Sequence, residues 1–145
     1  MRRVLVSGGR LFVNVPGPTP PLFAVFEEAL GRHLGPAAGD FVRAVFSLHD
    51  PAELGDLVRG AAFENVDARS SVKTLRLPAP GDFLWQYVHS TPLAGSATEL
   101  NEERRAAFEC EVVAAWQPFT EDGHLVLGRH DCRNRAQVKP RRRVN

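Results

Sequence analysis

Ser7 to Pro16, Ser-Gly-Gly-Arg-Leu-Phe-Val-Asn-Val-Pro, most constrains this chain, because a paired-glycine turn feeds directly into a short apolar strand. Glycine adopts positive φ at little steric cost, so Gly8 and Gly9 can reverse the chain before Leu11, Phe12, Val13 and Val15 extend. So continuous an apolar run predicts a strand covered on both faces, as in an α/β sheet. Its neighbours within the chain are two further β-like stretches, Val66 to Leu77 and His124 to Leu127.

At 145 residues, 43% of them hydrophobic, the chain suits one globular domain. No run approaches the roughly 20 apolar residues of a membrane span. The opening Met-Arg-Arg-Val-Leu-Val-Ser is too short an apolar segment for a signal peptide, so a cytoplasmic protein with no membrane partner is expected. Cys110 and Cys132 are far apart and lack metal-ligand spacing, which predicts two free thiols, the first buried on a helix. The net charge of +1 conceals an asymmetry: residues 129–145 carry +6 and residues 1–128 carry −5. The basic end lacks apolar periodicity, so residues 129–145 are expected to form a disordered tail after a folded part, 1–128.

Along the chain, Thr19 and Pro20 signal a helix start, as cap and first helical residue. Leu22, Phe23, Phe26, Leu30 and Leu34 then recur at helical spacing until Gly35 and Pro36. His33 in the last turn reads as a surface histidine near a helix dipole. Phe41 to Leu48 suggests a short helix. Asp50-Pro-Ala-Glu53 is a capping-box-like start, with Leu54, Leu57 and Val58 as the buried stripe. Glu64 to Leu77 reads as a long strand whose apolar phase switches near Lys73 or Thr74 through a bulge or twist. Pro78 to Asp82 breaks it. Phe83, Leu84, Tyr87 and Val88 make one face of a short helix, with Trp85 and His89 on another. A longer helix capped by Asn101 carries Phe108, Val112 and Trp116 on one stripe, and Asp122-Gly123 turns into the last strand.

With that order on the page, three segments resemble the C-terminal half of a class I S-adenosylmethionine-dependent methyltransferase, of the type 11 or ubiquinone-biosynthesis-like kind. Residues 2–15 are similar to the family's leader and fifth strand, with Ser7 where proline is usual. Asp50-Pro-Ala-Glu-Leu54 through Ala61-Ala-Phe63-Glu-Asn-Val66 resembles its helix ending in Ala-Gly-Phe before the sixth strand, with Ala62 in place of the glycine. Phe83-Leu-Trp-Gln-Tyr87 and the following helix look like the substrate-covering insertion between the sixth and seventh strands. The resemblance spans residues 2–127. It implies a partial Rossmann-like sheet of fifth-to-seventh-strand equivalents, flanking helices and a helical lid at about 79–120. It also implies transfer of a methyl group from S-adenosylmethionine to a small-molecule acceptor. The family's Gly-rich loop and ribose-binding acidic residue, which build most of the cofactor pocket, are not among these residues.

The candidate contacts follow. Trp85, Tyr87 and His89 on the lid helix could wall a flat acceptor or the sulfonium, with His89 able to take a proton. Asn14 and Pro16 lie at the C-terminal end of the first strand, where ligands bind in open α/β sheets. In the family the fifth strand lies between the fourth and the seventh. With no fourth strand here, Leu11 to Val15 is an open edge, predicting a homo-oligomer or a partner chain. His49 and His124 read as capping or surface residues. The rival readings are a non-catalytic interaction module or truncated remnant, and nucleic-acid binding through Lys139 and Arg141 to Arg143. The last is disfavoured because no aromatic residue follows Arg129 to stack on a base.

Overall fold

The structure, a computed structural model, describes residues 4–138, with side chains described except at 129–134 and 138. Four strands and six α-helices follow in the order β1 (Arg10–Pro16), α1 (Pro21–His33), α2 (Pro36–Val45), α3 (Pro51–Gly60), β2 (Phe63–Arg76), α4 (Pro80–His89), α5 (Leu93–Thr98), α6 (Glu102–Trp116), β3 (Thr120–Glu121) and β4 (His124–Val138), with a 3-10 turn, Gln117–Phe119, between α6 and β3. The class is α/β. The strand order is β1-β4-β2, with β3 paired to β4, and the β1–β4 and β3–β4 pairs are antiparallel. None of the described helices is long and apolar enough to cross a membrane.

Where one domain was expected, the described residues fall into two compact units. The first takes residues 4–18, Phe46–Lys73 and 130–138; the second takes Thr19–Val45 and Thr74–Arg129. β2 and β4 are long enough to contribute to both. β4 also corrects the tail: residues 129–138 are strand, and β1 is paired with them from Arg10↔Gln137 to Pro16↔Asp131. Alternation of backbone hydrogen bonds, not apolar content, holds that stretch, so a hydropathy reading ended the strand at Leu127. Lys139 to Asn145 lie outside the described residues.

In the first unit, Gly8 and Gly9 have different duties. Gly8 is left-handed at φ 78°, whereas Gly9 is needed because a Cβ would stand 2.9 Å from the Val6 carbonyl oxygen. The strand they launch is not covered on both faces. Exposure alternates along β1, and Phe12 is 68% exposed. Its other face carries Leu11, which packs with Leu5 and Val66 around Val58 of α3, Phe63 and Ala136. α3 starts as expected: Asp50 accepts a hydrogen bond from the Ala52 N–H at 2.8 Å, with Pro51 opening the helix. It ends at Ala62, left-handed at φ 61°. Exposure alternates through Ala68 and resumes in the opposite phase at Ser71, slightly before the expected switch.

The second unit is helical and aromatic. α1 begins one residue later than expected, with Pro20 as its cap and no side-chain capping bond. Gly35, at φ 99°, ends the α1 segment, and Pro36 starts α2 instead of merely stopping α1. Gly39 lets the two helices approach, since a Cβ there would lie 3.2 Å from the Glu27 carbonyl oxygen. α6 is capped as read, the Arg104 N–H donating to Asn101 Oδ1 at 2.9 Å. Phe108, Val112 and Trp116 are all buried. Phe26 is the hub, its ring centroid 5.4 Å from Trp116, 5.6 Å from Tyr87 and 6.3 Å from Phe108. The Trp116 indole N–H donates to the Leu22 carbonyl at 3.0 Å, tying α6 to α1. Asp122 and Gly123, both left-handed, close the β3–β4 hairpin.

Candidate functional site

The second unit concentrates its chemistry-bearing side chains around α6. Phe108 is fully buried, and the residues one turn either side of it diverge toward α4 and toward the end of α1.

On the α4 flank, Arg105 and Glu109 stand one helical turn apart and both meet Trp85. The Trp85 indole N–H donates to Glu109 Oε2 at 2.9 Å, and the Arg105 guanidinium lies 4.0 Å from the ring centroid. His89, exposed and one turn along α4, has its ring 5.7 Å from Trp85. Trp85 and His89 are therefore brought together as the spacing implied. The cation over one Trp85 face is already supplied by this chain, so a sulfonium on that face has to displace Arg105. Tyr87 is elsewhere. Two residues on, it points roughly 200° round the helix, where its ring lies 5.3 Å from Phe23, 5.6 Å from Phe26 and 6.0 Å from Phe83. Burial there raises the phenol above its ordinary pKa, keeping it a neutral packing residue.

On the other flank, Glu111 reaches the C-terminal turn of α1. Its Oε2 lies 2.7 Å from His33 Nε2, and its Oε1 accepts from Arg32 Nε at 2.9 Å. Arg104 donates to the His33 carbonyl at 3.0 Å, satisfying an oxygen at the helix end. The His33 ring also rests 5.5 Å from Phe108. Hydrogen bonds from His33 and Arg32 hold the Glu111 carboxyl below its usual range. A cleft of about 260 Å³ opens beside this group, lined by Arg32, His33, Gly35, Ser96, Glu99 and Arg104. An imidazole held by a carboxylate at a polar cleft has the parts of a general base. Sequence spacing does not reveal this cluster and by itself places His33 at the surface, whereas its ring is partly buried against Glu111. Its partner is 78 residues away, and no spacing rule joins the end of one helix to the middle of another. Arg105 and Glu109 were legible as an i, i+4 pair, without a reason to aim them at Trp85.

Asn14 and Pro16 belong to the first unit. Asn14 is exposed on the same alternation as Phe12, and Pro16 is half-buried. Cys110 is an exposed thiol, correcting the expectation of burial: its neighbours on α6, not Cys110 itself, face the aromatic core. The side chain of Cys132 lies outside the described set. His49 bonds the nearby Phe46 carbonyl at 3.1 Å, and the exposed His124 bonds the Leu77 carbonyl, 47 residues away, at 3.3 Å. Among the described residues no three His, Cys, Asp or Glu side chains are grouped to hold a metal ion. No protein-family model matches the chain, and a comparison with curated proteins finds no match to it.

Proposed function

We propose that residues 4–138 form the acceptor-side half of a methyltransferase-like protein. It would pass a methyl group from S-adenosylmethionine to a small-molecule acceptor, with most of the cofactor pocket supplied by residues outside this stretch. The observation that carries the reading is the strand order. In the family that the sequence resembles, the fifth strand has the seventh as a neighbour, and here β1 has β4 beside it. Two further features support it: α4, α5 and α6 fall between the last two long strands, where the resemblance puts the lid, and Ala62 is left-handed where the family has glycine. Trp85 and His89 on the lid helix α4 wall the acceptor, with His89 able to take a proton; His33, at the end of α1, is held by Glu111 on the other flank of α6, and Tyr87 acts only as a packing residue. β1 lies at one end of the strand order, and its outer edge accepts the strand of a second copy or partner chain.

The test is calorimetric titration of the purified, folded chain, its assembly state first fixed by sedimentation, with S-adenosylmethionine and S-adenosylhomocysteine. Saturable binding by the assembled chain, weakened in Trp85→Ala, is the expected result. A folded and assembled chain that binds neither overturns methyl transfer. A non-catalytic interaction module would remain, a reading favoured by the commitment of the Trp85 indole to Glu109 and Arg105.

A further inference from the structure

The basic end of the chain carries no aromatic residue of its own, but strand pairing supplies one. β1 and β4 run antiparallel with Phe12 directly opposite Arg135, and the Arg135 guanidinium lies 5.8 Å from the Phe12 ring centroid. Phe12 is 68% exposed, an unusual state for the largest side chain of a strand whose other face is packed. Around Phe12 that face is polar. Arg10 and Asn14 flank Phe12 on β1, while on β2 Asn65 donates to Gln137 of β4 at 3.3 Å and Asp67 is held by Arg69 at 2.9 Å. Because Arg69 neutralises Asp67, Arg10 and Arg135 set the sign of the face, and it is positive. The sequence beyond β4 adds Lys139, Arg141, Arg142 and Arg143.

An exposed ring on a sheet, a guanidinium beside it, side-chain amides around it and surplus positive charge are together the requirements for holding an unpaired nucleotide chain. The ring stacks on a base, the arginines meet phosphates, and the amides of Asn14, Asn65 and Gln137 can bond base edges and 2′-hydroxyls. We infer that this face of the first unit binds single-stranded RNA, with Phe12 as the stacking residue and Arg10 and Arg135 as its phosphate contacts. The inference is independent of methyl transfer, since it uses none of the residues around α6.

Fluorescence anisotropy with a labelled mixed-sequence 12-nucleotide RNA tests it, using the full chain at several salt concentrations. The expected result is saturable binding that falls steeply with salt, weakens about tenfold in Phe12→Ala, and is retained in Phe12→Tyr. Arg135→Gln should flatten the salt dependence, and duplex RNA or DNA of the same sequence should bind several-fold more weakly. Phe12 is exposed, so its variants should fold, and circular dichroism verifies that. Binding unchanged by Phe12→Ala but abolished by deleting 139–145 overturns the inference in favour of a merely basic tail. Equal affinity for duplex and single strand overturns it as well. So does a Phe12→Ala variant whose only change is loss of self-association, which would assign the ring to a second copy of the chain.

Discussion

The two units of this protein use phenylalanine differently, and Phe12 of the first is the one that is left exposed among the described residues. In the second, phenylalanine is interior: Phe26 and Phe108 have no exposed surface and meet Trp116 and Tyr87 in one aromatic cluster. In the first, Phe12 faces outward, whereas Phe63 joins Val58 and Ala136 in a buried cluster with Leu5, Leu11 and Val66 partly covered, and Phe46 and Leu54 are buried as well. The lesson concerns what each unit has available for stability. Apolar burial contributes roughly 25 cal/mol per Å², so the aromatic cluster gives the helical unit a large reserve. The sheet unit depends on β1–β4 hydrogen bonding and a small hydrophobic patch, and it leaves side chains exposed for contact with other molecules.

The contrast breaks most visibly at Phe26. Phe26→Ala removes the ring shared by Phe23, Tyr87, Phe108 and Trp116. It should cost about 3–5 kcal/mol, read as a lowered urea midpoint with loss of near-ultraviolet circular dichroism. An effect below 1 kcal/mol would mean that the aromatic cluster is not the stabilising core. Val58→Ala, in the smaller cluster, should cost about 2 kcal/mol from lost transfer energy and a small cavity. Hydrogen exchange should then rise first in β1, α3 and the adjoining part of β2, leaving α1 and α6 protected. A uniform rise would make the two units one cooperative body and remove the contrast. Ala62→Gly should act in the other direction. At φ 61° alanine carries the penalty of a left-handed L-residue, so glycine should stabilise by about 1 kcal/mol. A neutral or destabilising result would show that Ala62 does not hold that conformation in solution.

What the sequence made legible follows the same division. The Asp50 and Asn101 caps and the Phe108, Val112, Trp116 stripe were all readable, because each is a local relation at helical spacing. The site pairing of Trp85 with His89 was readable for the same reason. α5 was not foreseen, since its six residues, Leu-Ala-Gly-Ser-Ala-Thr, are too few and too small to show a period. Nor was the extension of β4, where Asp131 to Arg135 lacks apolar alternation and is specified by its pairing with β1. Phe12 reads from sequence as doubly buried because an unbroken apolar run looks the same whether a second layer covers it or not. His33 with Glu111, and Phe12 with Arg135, are relations across the fold that only tertiary structure supplies.

The smallest effect falls on the Glu111 cluster and turns on protons. His33 and Arg32 bond the ionised carboxylate, so its folded pKa lies below the unfolded one. A lowered acid pKa contributes stability that is complete above the ordinary carboxylate range and lost as pH falls through the folded value. The melting temperature should therefore decline on acidification from about pH 5 downward, and Glu111→Gln should remove part of that decline while lowering stability slightly at neutral pH. The carboxylate is partly exposed, and solvent screening keeps the gain small. Salt should shrink the difference further, as it does for exposed pairs. The same variant bears on function. If His33 is only a clamp for the end of α1, Glu111→Gln leaves any methyl-transfer pH profile unmoved; if the carboxylate orients a working base, the profile shifts while the fold remains.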